Sequence, residues 1–533
     1  MESTLQPSPD LPEDVAILQE MVRSLTVRYE RDIQAWQTRY DTLQEQVRLL
    51  LAKRFGPSSE RYDPSQLQLG LFNEAEVEAA SAEEEPETET GPAPRRRGRP
   101  VRPPLPPELP REEVIHELSS EERVCGEDGS DLVEIGRETS EQLDIVPAQV
   151  RVIRHVRIKY GCPRCHEGVK TAPLPPQPLP KSMASAGMLA YVLTSKYADG
   201  LPLYRLEGML GRIGVEIPRS TLASWAVKAG TGLVQPLINL MQERALASGY
   251  IQMDETPVQV LKEPGRKPTA KSYMWVWRTG PPAKPIILFD YDPSRSQSVP
   301  ERLLMGFKGY LQSDGYSGYL AVTATADVVA VGCFAHARRK FDEAVKSAGK
   351  KAKPGVAHEG LALIQELYRV ERQAKDAEMT PEQRHALRQE WAVPILERLR
   401  IWLHENLPRT LPSGATGKAL GYLSNQWQRL VRYLEDGRLE IDNNRTENAI
   451  RPFVVGRKGW LFSASVNGAK ASANIYSLIE TAKANGHEPY HYLRYVLERL
   501  PACQTVDAFE ALLPMNISPT LTQPPPPVQD GVA

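Results

Sequence analysis

Five segments between residues 248 and 335 have the apolar and β-branched composition of strands, and their order constrains the fold more than any other feature of the sequence. The segments are Tyr250–Asp254, Ser272–Arg278, Pro285–Asp290, Tyr310–Asp314 and Val328–Phe334. The first three follow one another through short turns, which is typical of an antiparallel meander. A helix capped by Ser298, with Glu301 three residues later, is predicted between the third strand and the fourth.

Three successive strands followed by alternating helix and strand is the order of the ribonuclease-H-like α/β fold. After Phe334 the pattern is helical to about Gly437, which predicts a helical insertion, and a last helical stretch to Leu513 precedes a proline-rich tail. The chain has 533 residues, and a single hydrophobic core stops growing at roughly 250–300 residues. We therefore predict a multidomain α+β protein that contains a ribonuclease-H-like core.

The N-terminal residues 14–54 predict a coiled-coil helix. One set of apolar or aromatic side chains recurs every seven residues: Val22, Tyr29, Trp36, Leu43 and Leu50. A second set follows Tyr29, Trp36 and Leu43 by four positions each: Ile33, Tyr40 and Val47. A seam of this kind buries itself best against another helix, and we favour self-association. The alternative is one amphipathic helix that packs on its own protein.

Residues 55–113 have the composition of a disordered linker. Residues 74–90 contain eight Glu and no Lys or Arg, and five arginines follow: Arg95, Arg96, Arg97, Arg99 and Arg102. The net charge of −2 is an average over these acidic and basic segments. Because positive charge is concentrated in short segments, any contact with nucleic acid is expected to be confined to such segments. Arg97 and Arg99 belong to an arginine-glycine-arginine-proline core typical of an AT-hook, which binds in the DNA minor groove. A solvated basic linker is the alternative.

Residues 114–175 predict a small zinc-ribbon-like β domain. Cys162 and Cys165 form a tight knuckle that presents two thiolates, and Cys125 begins a similar turn in which Asp128 stands where a second cysteine would complete the knuckle. The candidate zinc ligands are therefore these four residues, with His116 or His166 as a substitute for the fourth. A β domain that has lost its zinc is the alternative.

Residues 180–235 predict two short helices in a helix-turn-helix arrangement. Their apolar faces lie on either side of a break at Gly214: Leu206, Leu210 and Ile213, then Leu222, Trp225, Ala226 and Ala229. The second helix is expected to begin near Ser220 and to direct Arg219, Ser224 and Lys228 outward, as a DNA-recognition helix does. An ordinary helical hairpin fits the pattern equally well.

Two aspartates stand at the ends of predicted strands: Asp254 closes the first strand and Asp314 closes the fourth. In neighbouring strands the two carboxylates would converge and repel each other unless a cation neutralised them, and oxygen donors suit Mg2+. Glu447 is the candidate third ligand, on a helix predicted to begin at Asn444. Alternatively, Asn444 and Glu447 form a capping box at the helix start. Three other acidic residues are rival ligands: Asp290, Asp292 and Glu255.

Longer motifs resemble those of the insertion-sequence sixty-six family of transposases, within the DDE group. The resemblance runs from about Leu43 to about Leu500. Its most specific motifs are Met253–Thr256, Ser313–Tyr319, Cys333–Phe341, Asp442–Pro452 and Gly456–Phe462, and further ones are Arg54–Glu60, Glu141–Pro147 and Lys196–Arg205. The family's usual first knuckle has two cysteines, so Cys125 with Asp128 departs from the pattern.

The resemblance implies a DNA transposase, which is a metal-dependent polynucleotidyl transferase. The implied catalytic trio is Asp254, Asp314 and Glu447, which would hold two Mg2+ or Mn2+ ions. The implied reaction is hydrolysis at the transposon ends, followed by attack of the freed 3′-hydroxyl on target DNA. His336 matches a cysteine-x-x-histidine signature of DDE enzymes and would contact the scissile phosphate or position the trio. A structural histidine is the alternative.

The resemblance implies two kinds of partner: double-stranded DNA, as terminal repeats and as target, and small accessory proteins encoded by the same element. The heptad seam and the need to hold two DNA ends together indicate a second copy of the chain as a further partner. Basic residues in the family motifs would neutralise DNA phosphates near the cut, unless they are solvated surface charges: Arg338, Arg339, Arg451, Arg457 and Lys458. Two other functions stay open. The first is a domesticated transposase that binds DNA without catalysis, and the second is a ribonuclease-H-like nuclease that cuts without joining.

The sequence predicts nine segments along the chain. They are a tail with the coiled-coil helix (1–54), the linker (55–113), the zinc-ribbon-like domain (114–175), the helix-turn-helix segment (180–235), the first part of the catalytic core (236–344), the helical insertion (345–437), the last part of the core (438–484), a helical segment (485–515) and a disordered tail (516–533). No apolar run approaches the ~20 residues that cross a bilayer, and the acidic N-terminus lacks the pattern of a signal peptide. We therefore expect a cytoplasmic protein without a membrane partner.

Overall fold

The computed structural model of the protein describes residues 14–55, 150–160, 170–281, 284–348 and 353–523. The candidate zinc ligands and the AT-hook arginines lie outside these ranges: Cys125, Asp128, Cys162, Cys165, Arg97 and Arg99. The zinc site and the minor-groove contact therefore stay predictions.

The N-terminal helix α1 spans Val15–Phe55, close to the predicted 14–54. The seam side chains of Val22, Tyr29, Trp36 and Leu43 are 61–69% exposed. A line of large exposed apolar side chains is uncommon on the surface of a soluble protein and marks surfaces that contact partners. The helix is present as expected, while its pairing with a second helix stays a prediction.

Two short strands and four helices follow α1 in the described chain. Strands β1 (Lys159–Tyr160) and β2 (Lys170–Thr171) form an antiparallel pair. The helices are α2 (Ala186–Tyr197), α3 (Leu203–Arg212), α4 (Arg219–Lys228) and α5 (Gln235–Leu246), with a π-helical turn at Ala229–Leu233.

Helices α3 and α4 occupy the positions of the two short helices expected from the sequence. Their buried side chains are Leu206, Leu210, Leu222, Trp225 and Ala226. The turn between them depends on Gly214, whose φ of +80° favours glycine. Ile213, the third residue of the predicted apolar face, lies just after the end of α3 and is 40% exposed. Arg219, Ser224 and Lys228 are exposed.

The central sheet contains β3 (Tyr250–Lys262), β4 (Lys271–Thr279), β5 (Ile287–Asp292), β6 (Gly309–Gln312) and β7 (Val328–Val331), in the order β5-β4-β3-β6-β7. The first three strands are antiparallel neighbours, as the predicted meander requires, while β6 is parallel to β3 and β7 is parallel to β6. The short helices α6 (Ser298–Leu303) and α7 (Leu320–Thr323) precede β6 and β7. The result is a mixed sheet in an α+β protein.

Three predicted details at the ends of these elements are wrong. Asp254 does not close β3, because the ladder with β4 continues and the strand ends at Lys262. Asp314 lies two residues beyond the end of β6, which is at Gln312. Ser298 is the first residue of α6 and not its cap, since Gln297 holds the cap position and makes no side-chain capping bond.

Five helices follow β7, and four of them lie within residues 345–437, where the sequence predicts a helical insertion. They are α8 (Phe334–Ala348), α9 (Val356–Asp376), α10 (Pro381–Leu387), α11 (Val393–Asn406) and α12 (Ala415–Val431). Their apolar faces form one buried cluster that includes Phe341, Leu367, Leu399 and Leu423. This cluster also contains Tyr250 of β3, so the helical insertion and the sheet share a core.

A fully buried arginine ties the helical insertion to the segment that leads to the next helix. Arg388 lies in a π-helical turn, Arg388–Ala392, and its guanidinium binds both carboxylate oxygens of Glu371 at 2.7 Å. It also donates to the carbonyls of Tyr433 (2.7 Å), Asp436 (3.1 Å) and Leu439 (2.8 Å). By binding three carbonyls of one segment, Arg388 fixes the path of residues 433–439.

The last elements are α13 (Asn444–Trp460), β8 (Ser463–Ser465), α14 (Val466–Ala484), α15 (Pro489–Arg499) and α16 (Val506–Glu510). The described chain forms two compact units: the first contains α1 with residues 241–260 and 265–454, and the second contains the described residues of 81–240 and 455–533 with residues 261–264. Within the second unit α14 packs tightly on the π-helical turn, since a Cβ at Gly230 would lie 2.7 Å from Ala471. Among the described residues, no helix is long and apolar enough to span a bilayer.

Candidate active site

Asp254 and Asp314 have the same spacing from a pair of residues on two neighbouring parallel strands. Gln252 of β3 is paired with Gln312 of β6, and each aspartate lies two residues after its paired glutamine. Residues two apart on a strand share a face of the sheet. Asp254 therefore lies on the same face of β3 as Gln252, and Asp314 lies in the turn that follows β6.

Asp254 is in an environment that opposes its negative charge. Burial raises its pKa well above the ordinary value, and the charges of Glu255, Glu447 and Asp314 raise it further, while a hydrogen bond from the N–H of Glu255 (2.8 Å) lowers it. The carboxylates of the predicted trio are thus close enough to repel one another. A cation at this position would relieve both the repulsion and the loss of hydration.

Asp314 is held by a tight turn after β6. Its Oδ1 accepts a hydrogen bond from the N–H of Tyr316 (2.9 Å), and its carbonyl accepts one from the hydroxyl of Tyr422 (2.7 Å). Gly315 has a φ of +86°, and a Cβ there would lie 2.9 Å from the side-chain amide of Gln426. Glycine is therefore required beside this aspartate for conformation and for space.

Glu447 lies in the first turn of α13, and the capping-box alternative does not describe this helix start. The Asn444 N–H is instead bound by Asp442, at 3.1 Å. The Glu447 Oε2 accepts a hydrogen bond from Arg339 (3.1 Å), and its Oε1 lies 3.6 Å from Nε2 of His336. The Oε1 atom is buried and has no hydrogen-bond partner among the described residues. An unsatisfied buried carboxylate oxygen is costly, which points to an absent ligand.

His336 is in the first turn of α8 and faces this carboxylate. Burial lowers its pKa, although the negative charge of Glu447 acts in the opposite direction. The net direction is a lowered pKa, which favours the neutral imidazole. Its Nδ1 is buried without a hydrogen-bond partner among the described residues. The structure thus places His336 beside the predicted trio, with one ring nitrogen towards Glu447.

The rival acidic residues are bound to arginines. Glu255 is bound by Arg295 (2.7 Å) and by the hydroxyl of Tyr319 (2.7 Å). Asp290 and Asp292, on the edge strand β5, share the guanidinium of Arg302 at 2.9 and 3.0 Å. Glu447 also pairs with an arginine, Arg339, but its Oε1 has no hydrogen-bond partner among the described residues, whereas both oxygens of Glu255 are bound.

The donor set of the trio fits a hard divalent cation. Six carboxylate oxygens from three elements are the ligand type that Mg2+ and Mn2+ prefer. Within the described ranges no three His, Cys, Asp or Glu side chains are gathered as closely as metal ligands are.

The predicted DNA-binding residues lie in different surroundings. The guanidinium of Arg338 is 5.6 Å from the ring centre of Tyr368. Arg339 binds Glu447, and the Nη2 of Arg451 is buried without a hydrogen-bond partner in the described chain. Arg457 and Lys458 lie in the last turn of α13, where burial lowers the pKa of Arg457. None of these contacts tests the role in DNA binding.

The sequence interpretation missed the two glutamines and the tyrosines that support the site. Tyr368 donates a hydrogen bond to Asp442 (2.8 Å), and burial raises the pKa of Asp442 to about 6. A repeated pattern could have revealed the glutamines, because Gln-Met-Asp and Gln-Ser-Asp recur 60 residues apart. The tyrosines have no such signal, since the contact between α9 and residue 442 depends on tertiary packing.

Comparison with known proteins gives the family. Residues 181–471 match the family described as "Transposase IS66 family", and residues 477–515 match "IS66 C-terminal element". Residues 122–166 match "zinc-finger binding domain of transposase IS66", and residues 42–114 match "Transposase C of IS166 homeodomain".

Curated relatives come from Sinorhizobium fredii (strain NBRC 101917 / NGR234). "Uncharacterized protein y4jD" is 34% identical over 77% of this chain and 81% of its own length. "Uncharacterized protein y4qI" is 34% identical over 73% of each chain, and "Uncharacterized protein y4hP" is 29% identical over 78% of this chain and 77% of its own length. With the first family match covering more than half of its residues, the chain belongs to the IS66 family of transposases.

Proposed function

We propose that this chain cleaves DNA at the ends of its element and joins the freed 3′-hydroxyl to target DNA, with Asp254, Asp314 and Glu447 as catalytic metal ligands. One observation carries the proposal. Asp254 and Asp314 follow paired glutamines on β3 and β6, and the pKa of Asp254 is raised by burial and by the charges of Glu255, Glu447 and Asp314. Membership of the transposase family supports the same chemistry.

The fold proposed for the first unit is ribonuclease-H-like. An antiparallel meander of three strands precedes two strands that run parallel to the first of them, in the order β5-β4-β3-β6-β7. The helical insertion then separates the sheet from the glutamate helix, in agreement with the spacing of 133 residues between Asp314 and Glu447 against 60 between Asp254 and Asp314. This arrangement supports the fold and the trio together.

Each residue of the candidate site has a proposed role in the reaction. When bound, two divalent cations would activate the attacking oxygen and stabilise the leaving oxygen in phosphodiester transfer. Asp254 and Asp314 are fixed by the sheet and its turn, and Glu447 is presented by the first turn of α13. His336 lies beside Glu447, with its Nε2 3.6 Å from Oε1 of that carboxylate, where it would contact the scissile phosphate or position the trio.

Other parts of the chain are proposed to bind DNA and partners. Helix α4 presents exposed Arg219 and Lys228, as a recognition helix would. Self-association through α1 and a structural Zn2+ on Cys125, Asp128, Cys162 and Cys165 are also part of the proposal. So are contacts between DNA phosphates and seven basic residues: Arg97, Arg99, Arg338, Arg339, Arg451, Arg457 and Lys458. The match of residues 122–166 to a zinc-finger family supports the zinc proposal.

The test uses the purified full chain, Mg2+ and a plasmid that carries the DNA flanking the coding sequence of this chain. The variants are Asp254→Asn, Asp314→Asn and Glu447→Gln, with Asp292→Asn as a matched control because Asp292 is bound by Arg302 on the edge strand. We expect end cleavage and joined products from the unchanged chain and from the control. Each trio variant should lose at least about 100-fold in both steps, the loss typical of removing one preorganised electrostatic group.

Three outcomes would overturn the proposal. Cleavage by Asp254→Asn at the rate of the unchanged chain removes the catalytic assignment. Cleavage without joined products favours a nuclease. Retained binding to the DNA with neither product, by the unchanged chain, favours a domesticated DNA-binding protein.

A further inference from the structure

We propose that Gln252 and Gln312 are positioning residues that hold the start of the Glu447 helix against the sheet, so that the glutamate meets the two aspartates. This inference rests on the proposed function, since it concerns how the same site is assembled. Neither glutamine touches the carboxylate of Glu447, so each acts through the backbone and side chains of the segment before it.

The two glutamines lie side by side in the middle of the sheet. They are paired in the register of β3 and β6, and they are 1% and 0% exposed. Gln252 Nε2 donates to Gln312 Oε1 over 2.8 Å. Buried amides are expensive unless all their hydrogen bonds are made, so this pair demands partners from the layer that covers it.

Those partners belong to the segment that enters α13. Gln252 Nε2 is 3.1 Å from the Glu440 carboxylate and 3.2 Å from the Asp442 carbonyl. On its other side, Gln252 Oε1 accepts a hydrogen bond from the Thr446 hydroxyl over 3.1 Å. Thr446 is fully buried and directly precedes Glu447. Gln252 therefore binds the segment both before the helix and within its first turn.

Gln312 fixes the same segment from the neighbouring strand. Its Nε2 donates to the carbonyls of Glu440 (2.8 Å) and Gly332 (2.9 Å). Tyr250 completes the network, because its hydroxyl donates to Gln312 Oε1 and accepts a hydrogen bond from the N–H of Glu440 (3.1 Å). Residues 440–446 are thus attached to the two strands that carry the aspartates.

The amide is suited to this position by its lack of charge. It supplies donors and an acceptor at once, whereas a carboxylate in the same place would only accept and would add to the repulsion that already raises the pKa of Asp254. An apolar residue of the same length would fill the space but leave the Thr446 hydroxyl and the carbonyls of the segment unpaired.

The test measures Mn2+ affinity of the full chain by electron paramagnetic resonance, without DNA. Gln252→Met removes the amide at nearly constant length, and Thr446→Val removes one hydroxyl at constant shape, so that one variant remains informative should the other fail to fold. Gln259→Met is the matched control, since Gln259 is on the same strand, exposed, and bound to the Pro268 carbonyl. Thermal unfolding of every variant is recorded alongside.

We expect Gln252→Met and Thr446→Val to weaken Mn2+ binding, with Gln252→Met losing roughly 10–100-fold, as outer-shell partners of metal ligands do. In a Glu447→Gln background the same changes should cost nothing further, because they act through that glutamate. Binding equal to that of the unchanged chain, or an undiminished effect in the Glu447→Gln background, overturns the inference. Equal Mn2+ binding by Asp254→Asn and the unchanged chain would instead reject the proposed function.

Discussion

Arg339 donates a hydrogen bond to Oε2 of Glu447 over 3.1 Å, while the other oxygen of that carboxylate has no partner in the described chain. The arginine is 42% exposed in its side chain, whereas the glutamate is 13% exposed. One positive charge therefore stands at the border between the acidic site and solvent, where it can interact with Glu447 or with a DNA phosphate.

This position makes opposite predictions for metal and for DNA. Arg339→Gln should tighten Mn2+ binding to the free protein severalfold, because a like charge beside the site is removed. The same variant should slow cleavage of plasmid DNA, because a phosphate contact is lost. Titration with Mn2+ and the cleavage assay measure the two effects. A change in the same direction in both would contradict the dual role, and Arg338→Gln, whose arginine lies over Tyr368, is the comparison.

The buried Arg388 should be a principal source of stability in the first unit. Arg388→Met leaves the Glu371 carboxylate and three carbonyls without their donor, which should lower the free energy of unfolding by about 3–5 kcal/mol. Arg398→Met is the control, because Arg398 pairs with Glu366 at the surface, where such a pair contributes about 1 kcal/mol or less. Chemical denaturation measures both. Equal losses would show that the buried network is not the cause.

The seam of α1 should mediate self-association. Tyr29 and Trp36 are 67% and 69% exposed, so replacing both by lysine should not disturb the packing of the first unit. We expect Tyr29→Lys with Trp36→Lys to convert an oligomer into a monomer in sedimentation experiments, since charge at a seam position opposes pairing. Lysines at Ser24 and Ala35, which lie off the seam, should leave the oligomer intact. A monomeric unchanged chain would refute the prediction.

The second unit should be more stable in mild acid because of Glu480. This glutamate is buried on α14, and burial raises its pKa above the usual 4.5, although Lys483 at 3.0 Å acts in the opposite direction. A raised folded-state pKa gives stability that is complete below the unfolded value and is lost as pH rises through the folded value. Glu480→Gln should therefore raise Tm at pH 8 and leave it nearly unchanged at pH 4.

The magnitude of this effect is a few degrees, since about 1 kcal/mol corresponds to about 2–4 °C for a unit of 150–250 residues. Glu498→Gln is the control, because Glu498 is 43% exposed in its pair with Arg494. If both variants shift Tm alike at pH 8, burial of Glu480 is not the cause. If Glu480→Gln lowers Tm at pH 8, its ion pair with Lys483 outweighs the cost of burial.

Much of the sheet could be predicted from the sequence because strand signals are local. Short apolar runs such as the one at Tyr250 and turn residues between them gave five strands in the correct places. The ends were harder, because β3 extends to Lys262 only through its ladder with β4. The residues that follow Asp254 carry no local signal for this pairing with another strand.

The candidate site could be proposed from the sequence as a set of acids, but not as an assembly. Asp254 and Asp314 lie within or just after recognisable strand segments, whereas the segment that leads to Glu447 is bound by Gln252, Gln312 and Arg388, whose partners lie tens to nearly two hundred residues away. The buried glutamines look unremarkable in sequence, since glutamine is usually exposed. Only the repeated Gln-x-Asp spacing hinted at them.

The most direct test of the account is iron-directed cleavage of the polypeptide. Fe2+ bound in place of Mg2+, with ascorbate and peroxide, cuts the chain next to its metal ligands. We predict cuts near residues 254, 314 and 447 together, all lost in Asp254→Asn and all suppressed by excess Mg2+. Cuts near 254 and 314 without one near 447 would contradict the claim that strands and helix enclose a single metal site.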